Sequence, residues 1–139
     1  MRSESLSLIK PPNNMKKIIS TSDAPAAIGP YSQAIEANGM VFLSGVLPID
    51  PATNEFVPGG AKEQTKQIFK NIKAILSVAG LSVDNIVKTT VFLDDMSYFA
   101  EMNEVYAAQF NGIFPARSAF AVQTLPKNAL VEIEVIAVK

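Results

Sequence analysis

Residues 61–79 carry the pattern of an amphipathic helix, and the segments on either side read as strands; this arrangement restricts the fold more than any other feature. Ile68, Ile72, Ile75, Leu76 and Ala79 recur at i, i+4, i+7, i+8 and i+11, one apolar stripe along a helix. Lys66, Gln67, Lys70 and Lys73 fall off that stripe, and Gly80 stands where a helix usually stops. A second helix is expected over 97–110, with Phe99, Met102, Tyr106 and Phe110 on one face and Gly112 and Pro115 ending it. Strands are expected at 17–20, 31–37, 40–46, 86–93, 118–124 and 130–138. Asn38-Gly39, the preferred pair for a tight type I′ hairpin turn, joins the second and third. Residues 21–30 and 48–60 read as loops and 125–128 as a turn. The order of strands, helix, strand, helix, strands predicts an α+β fold: a mostly antiparallel six-stranded sheet with two helices packed on one face.

A sheet covered by helices on one face and wet on the other should alternate apolar and polar residues. These strands do not. Met40/Phe42 and Val41/Leu43 are apolar on both parities, as are Phe120/Val122 and Ala119/Ala121. Val131, Ile133, Val135 and Ala137 fill one face of the last strand, while Ile136 and Val138 lie on the other. Burying each such side chain is worth roughly 1.5–3 kcal/mol, so the second face is expected to be covered by further copies of the chain. The alternative is a more twisted sheet capped by its own loops.

Composition narrows the chemistry. The chain has 139 residues, enough for one domain with its own core, with 48% apolar and 18% charged residues. A net charge of −1 is a poor footprint for nucleic acid. With no Cys and no His, thiolate nucleophiles, imidazole bases and the usual transition-metal ligands are excluded. No metal and no cofactor is expected; carboxylates, Arg, Lys, Tyr, hydroxyls, backbone and water must do the work. No apolar run approaches the roughly 20 residues of a membrane helix, so a cytoplasmic protein with no membrane contact is expected. Residues 1–14 are polar and contain Pro11 and Pro12, and Met15-Lys16-Lys17 looks like a second start. Residues 1–14 therefore read as a flexible extension of a 15–139 domain, with a short targeting leader as the lesser reading.

Three clusters are candidates for chemistry. In Gly29-Pro30-Tyr31 a rigid bend presents a phenol, or else Tyr31 packs at a strand edge. Ser44-Gly45 closes an apolar strand and either lets a ligand approach the backbone or forms a bulge. Arg117 follows Phe114-Pro115-Ala116, and an Arg fork suits a carboxylate. Glu132 and Glu134 share a face of the last strand and need partners, so Arg117 either binds a ligand or pairs with one of them.

Together these stretches resemble the RidA family, also called the YjgF/YER057c/UK114 family. The likeness is carried by residues 24–31, Ser44-Gly45, residues 86–92, Pro115-Ala116-Arg117-Ser118, Leu125-Pro126-Lys127 and Val131-Glu132-Ile133-Glu134, and it spans about Met15 to Lys139. The resemblance implies a chorismate-mutase-like homotrimer with sheets facing a central barrel and active sites in clefts between subunits. It implies hydrolysis of 2-iminobutanoate and 2-iminopropanoate to 2-keto acids and ammonia, which would protect other enzymes from reactive imines. It implies that Arg117 holds the substrate carboxylate, Glu132 positions or activates water, Tyr31 closes over the substrate, Ser44 and Gly45 line the cleft, and Asn103 stands near the site. Glu134 is taken as supporting. Many members carry Cys where this chain has Ala119, so no thiol takes part here, and that position is read as tuning rate or ligand choice. The rival functions are a non-catalytic trimer binding small carboxylates and a ribonuclease or translation inhibitor. The charge and the absence of His argue against the ribonuclease.

Overall fold

The computed structural model describes residues 15–139, so the reading of residues 1–14 lies outside the described residues. The elements run β1 (Lys17–Ile19), β2 (Ala34–Ala37), β3 (Met40–Val46), β4 (Ile49–Asp50), β5 (Glu55–Phe56), α1 (Ala61–Val78), β6 (Ile86–Leu93), α2 (Phe99–Ala107), β7 (Ala116–Ala121) and β8 (Val131–Val138). Six strands form one sheet in the order β1-β2-β3-β8-β6-β7. All neighbours are antiparallel except β6 and β7, which run parallel with Thr89 opposite Arg117 and Leu93 opposite Ala121. The sheet is therefore mixed. The α2 crossover carries the chain back to the end at which β6 began, and a parallel partner follows from that connection.

Local chemistry explains the elements. Asn38 (φ 52°) and Gly39 (φ 75°) both take the positive φ that a type I′ turn requires, and they fix Ala37 opposite Met40. At the start of α1 the Glu63 carboxylate accepts from the Gly60 N–H at 2.9 Å. At its end Gly80 (φ 74°) closes a Schellman turn in which the Leu81 N–H donates to Leu76 O and the Gly80 N–H to Ser77 O, both at 3.0 Å. Ile68, Ile72, Ile75 and Leu76 are buried as the stripe requires. Gln67 is not off that stripe: it is buried, and its Nε2 donates to Asn71 Oδ1 at 2.9 Å. Asn71 in turn donates to Leu47 O and Ile49 O, tying α1 to the segment after β3.

Other boundaries move for similar reasons. Residues 48–60 contain the short β4–β5 hairpin, whose turn Asp50 stabilises by accepting from the Ala52 N–H at 2.9 Å. The strand expected at 118–124 is β7 and runs from Ala116 to Ala121, because pairing with β6 starts directly after Pro115 and ends with Leu93. The second begins at Ala34 rather than 31, since residues 31–33 form bends. Val41, Leu43, Val91, Val131, Ile133, Val135 and Ala137 pack on the helix side with Phe69, Met102 and Tyr106. The opposite face keeps Phe42 at 40% exposure and Phe120 at 46%, with Phe92 packed edge-on against Phe120. No helix among the described residues is long and apolar enough to cross a membrane.

Candidate functional site

Arg117 is the second residue of β7, on the face that meets α2. Its Nη1 donates to Asn103 Oδ1 at 2.7 Å. Its guanidinium lies 4.7 Å from the Tyr106 ring centroid and 5.4 Å from that of Phe99, within cation–π range. Tyr106 is itself fixed by a 2.7 Å hydrogen bond between its hydroxyl and that of Thr89, the residue opposite Arg117 in the sheet. Burial pushes the Tyr106 phenol up, so it is a neutral platform. Among the described residues no carboxylate lies within ion-pair distance of Arg117. A guanidinium has five N–H donors; with one spent on Asn103, a face of the fork remains for a ligand. Ala119, two residues on, points to the same side and packs against the core.

Phe99, Asn103 and Tyr106 stand at i, i+4 and i+7 of α2. The apolar periodicity read Phe99 and Tyr106 as ordinary core. The amide and the hydroxyl on that stripe were the available sign that this helix face also serves a polar group.

Glu132 lies on the other side of the sheet. On β8 the alternate residues Val131, Ile133 and Val135 are buried under the helices, which leaves Glu132 and Glu134 on the open face. Glu132 is opposite Phe92 and Glu134 opposite Thr90. Burial, and then the neighbouring Glu134 charge, raise the Glu132 carboxyl above the ordinary carboxylate range. Arg117 therefore does not pair with either glutamate in this chain: they lie on opposite faces, and β6 separates their strands.

The Ser44-Gly45 segment is a bulge: the β3–β8 register shifts between Leu43 and Val46. It brings Gly45 against Glu132. A Cβ on Gly45 would collide with the carboxylate, whose Cδ is 2.9 Å from that position. The Ser44 hydroxyl donates to Ser32 O at 2.6 Å and the Ser44 N–H to Gln33 O at 3.0 Å, so both serve the fold. Tyr31 is 51% exposed. With Ile28, Gln33, Ser44, Gly45 and Lys127 it lines an open cleft of about 80 Å³.

The candidate residues thus fall into two groups. Tyr31, Ser44, Gly45 and Glu132 gather around β3 and β8; Asn103, Arg117 and Ala119 gather at the β7 edge beside α2. Three strand spacings, about 14 Å, separate β3 from β7. One small substrate cannot span the two groups within one chain.

Residues 21–139 match the family described as Endoribonuclease L-PSP. The 2-iminobutanoate/2-iminopropanoate deaminase of Mus musculus is 49% identical over 125 residues, covering 90% of this chain and 93% of that protein. A RutC family protein of Pyrococcus horikoshii is 54% identical, covering 90% of this chain and 99% of its own length. The crystal structure of RidA from an Antarctic Psychrobacter superposes with a TM-score of 0.85 at 46% identity, covering 88% of this chain and 99% of that one. The chain belongs to the Endoribonuclease L-PSP family, the family of RidA.

Proposed function

We propose that this protein hydrolyses 2-imino acids such as 2-iminobutanoate and 2-iminopropanoate to 2-keto acids and ammonia. The near-50% identity to proteins named for that activity, over most of both chains, supports the reading. The observation that carries it to particular residues is Arg117: a guanidinium held by an amide and two rings, with no carboxylate partner among the described residues. Such a fork takes a substrate carboxylate bidentately.

The chemistry needs little more. An imine carbon is already electrophilic, and held by its carboxylate it must only meet one oriented water. Glu132 takes a proton from that water as its oxygen adds to the carbon. Glu132 returns that proton to nitrogen, giving the carbinolamine; as the C–N bond breaks, the hydroxyl proton also passes to nitrogen by way of Glu132, so that ammonia leaves and the 2-keto acid remains. A carboxylate raised toward the working pH is a better base than an ordinary one. Tyr31 closes over the substrate, Ser44 and Gly45 shape the wall beside Glu132, and Asn103 orients Arg117. Ala119 leaves a methyl group near the fork, where it affects rate or ligand choice.

Because the two groups of residues face apart in one chain, the site is completed by a second copy. We place it in a homotrimer whose open sheet faces meet around a central barrel, which also covers Phe42 and Phe120. The test generates 2-iminobutanoate with an amino-acid oxidase and catalase and times its capture by semicarbazide. The wild type is expected to deplete the imine and Arg117→Ala is not. An inert wild type that still binds 2-ketobutanoate would replace the enzyme with a carboxylate-binding trimer. RNA cleavage that survives Arg117→Ala after purification would instead favour the endoribonuclease activity for which the family is named.

A further inference from the structure

We propose that Gln33 is a positioning residue that holds Tyr31 over the cleft through the backbone; the proposal rests on the reading that Tyr31 closes over the substrate. The Tyr31 side chain is half-exposed, and among the described residues its hydroxyl has no hydrogen-bond partner. Its place is set by the chain on either side. Toward the sheet, Ser32 O accepts from the Ser44 hydroxyl and Gln33 O from the Ser44 N–H, which fastens residues 32–33 to β3. Away from the sheet the chain is a loop, and one side chain holds it. Gln33 is only 7% exposed. Its Oε1 accepts from the Thr21 N–H at 2.7 Å; its Nε2 donates to Thr21 O at 3.0 Å and Pro25 O at 2.7 Å, with Ala24 O at 3.3 Å.

That amide spends both its ends on the backbone of residues 21–25, the near end of the loop whose far end is Tyr31. Pro25, Ala26, Ile28 and Tyr31 all line the cleft. Gln33 therefore fixes one wall of the cleft with a single planar group, and the Tyr31 N–H, donating to Gly29 O at 2.8 Å, closes the bend. Removing the amide leaves the buried Ala24 carbonyl and the half-buried Thr21 and Pro25 carbonyls without their donor, so the loop must shift to find water, and the phenol shifts with it.

A purely structural glutamine would lower the melting temperature and leave kcat/KM per folded molecule alone. A positioning glutamine acts only when Tyr31 is present. Gln33→Met keeps the shape without the hydrogen bonds. On 2-iminobutanoate it is expected to lower kcat/KM about tenfold, as small misplacements do. In a Tyr31→Ala background the same change should cost less than about twofold. Equal losses in both backgrounds overturn the proposal. Since the chain has no Trp, Tyr31→Trp adds a single indole at the site. Its steady-state anisotropy is expected to fall when Gln33→Met is added, and an unchanged anisotropy also overturns the proposal. Gln33→Glu, which keeps the acceptor for Thr21 and loses the donors, replaces Gln33→Met if the latter does not fold. If the wild type turns over no imine, the deaminase reading fails, and the anisotropy still decides whether Gln33 holds residue 31.

Discussion

Arg117 and Glu132 are each set up by a different physical device, and each device has a measurable signature. Arg117 is fixed by one charge-assisted bond to Asn103 and by two aromatic rings. Arg117→Lys keeps the charge and loses the planar fork; with such bonds worth about 1.5–3 kcal/mol, kcat/KM is expected to fall roughly 10- to 100-fold, read in the semicarbazide assay. Glu132 is raised first by burial and then by Glu134. As the proposed base it works ionised, so kcat/KM should rise with pH through a midpoint above the ordinary 4.5. Glu134→Gln removes the like charge and should move that midpoint to lower pH, while Glu132→Gln should abolish the acid limb along with most of the rate. The stability sign is the reverse of the usual carboxylate case. A folded pKa raised above the unfolded one contributes stability that is complete below the unfolded value and lost as pH rises through the folded value. Glu132→Gln is therefore expected to melt no lower than wild type at pH 7, an advantage that vanishes below about pH 4.

Among the elements, the β3 bulge is the one whose purpose is most local. It turns Gly45 toward Glu132 so closely that any Cβ there meets the carboxylate. The group that must yield is the end of a flexible side chain, and Gly45 does not need positive φ. Gly45→Ala is thus expected to leave the melting temperature within a few degrees of wild type, a cost of about 1 kcal/mol or less, while it displaces Glu132 and lowers kcat; a large loss of stability with kcat intact would contradict this. The sequence carried the elements whose cause is local: α1 by its stripe, its stop at Gly80, and the β2–β3 turn by Asn38-Gly39. It did not carry the β4–β5 hairpin, two residues a side and held by an Asp50 turn, nor the parallel pairing of β7, which depends on where α2 returns the chain. Gln67 was misplaced because periodicity judges polarity, and its burial is made possible by Asn71, a partner one turn away. Of the site, Arg117 and Glu132 stood out as charges in apolar strands. That they face opposite ways could be known only once β6 was seen between β7 and β8.

At the scale of the whole molecule, the opposed faces turn a geometric fact into a prediction about assembly. Each chain carries the Glu132 half and the Arg117 half of the proposed site, which cannot meet within it, and its open face leaves Ile18 at 72%, Phe42 at 40% and Phe120 at 46% exposure. Covering each such side chain is worth roughly 1.5–3 kcal/mol, so Phe120→Asp is expected to release monomers in light scattering, folded by circular dichroism and inactive. A closed ring of three joins unlike patches head to tail, so every site would take its Arg117 from one copy and its Glu132 from the next. Arg117→Ala and Glu132→Gln chains should each be inactive alone. Refolded together in equal amounts, they place an intact Arg117 beside an intact Glu132 at about one site in four. The mixture is therefore expected to recover about a quarter of the wild-type rate per site. Recovery that requires refolding, and does not follow from mixing preformed oligomers briefly, would mean that assembled copies do not exchange in that time and that the site is shared. No recovery, from mixtures that light scattering shows to be co-assembled, would mean that both groups act within one chain, and the arrangement of β6, β7 and β8 would then have to change on binding.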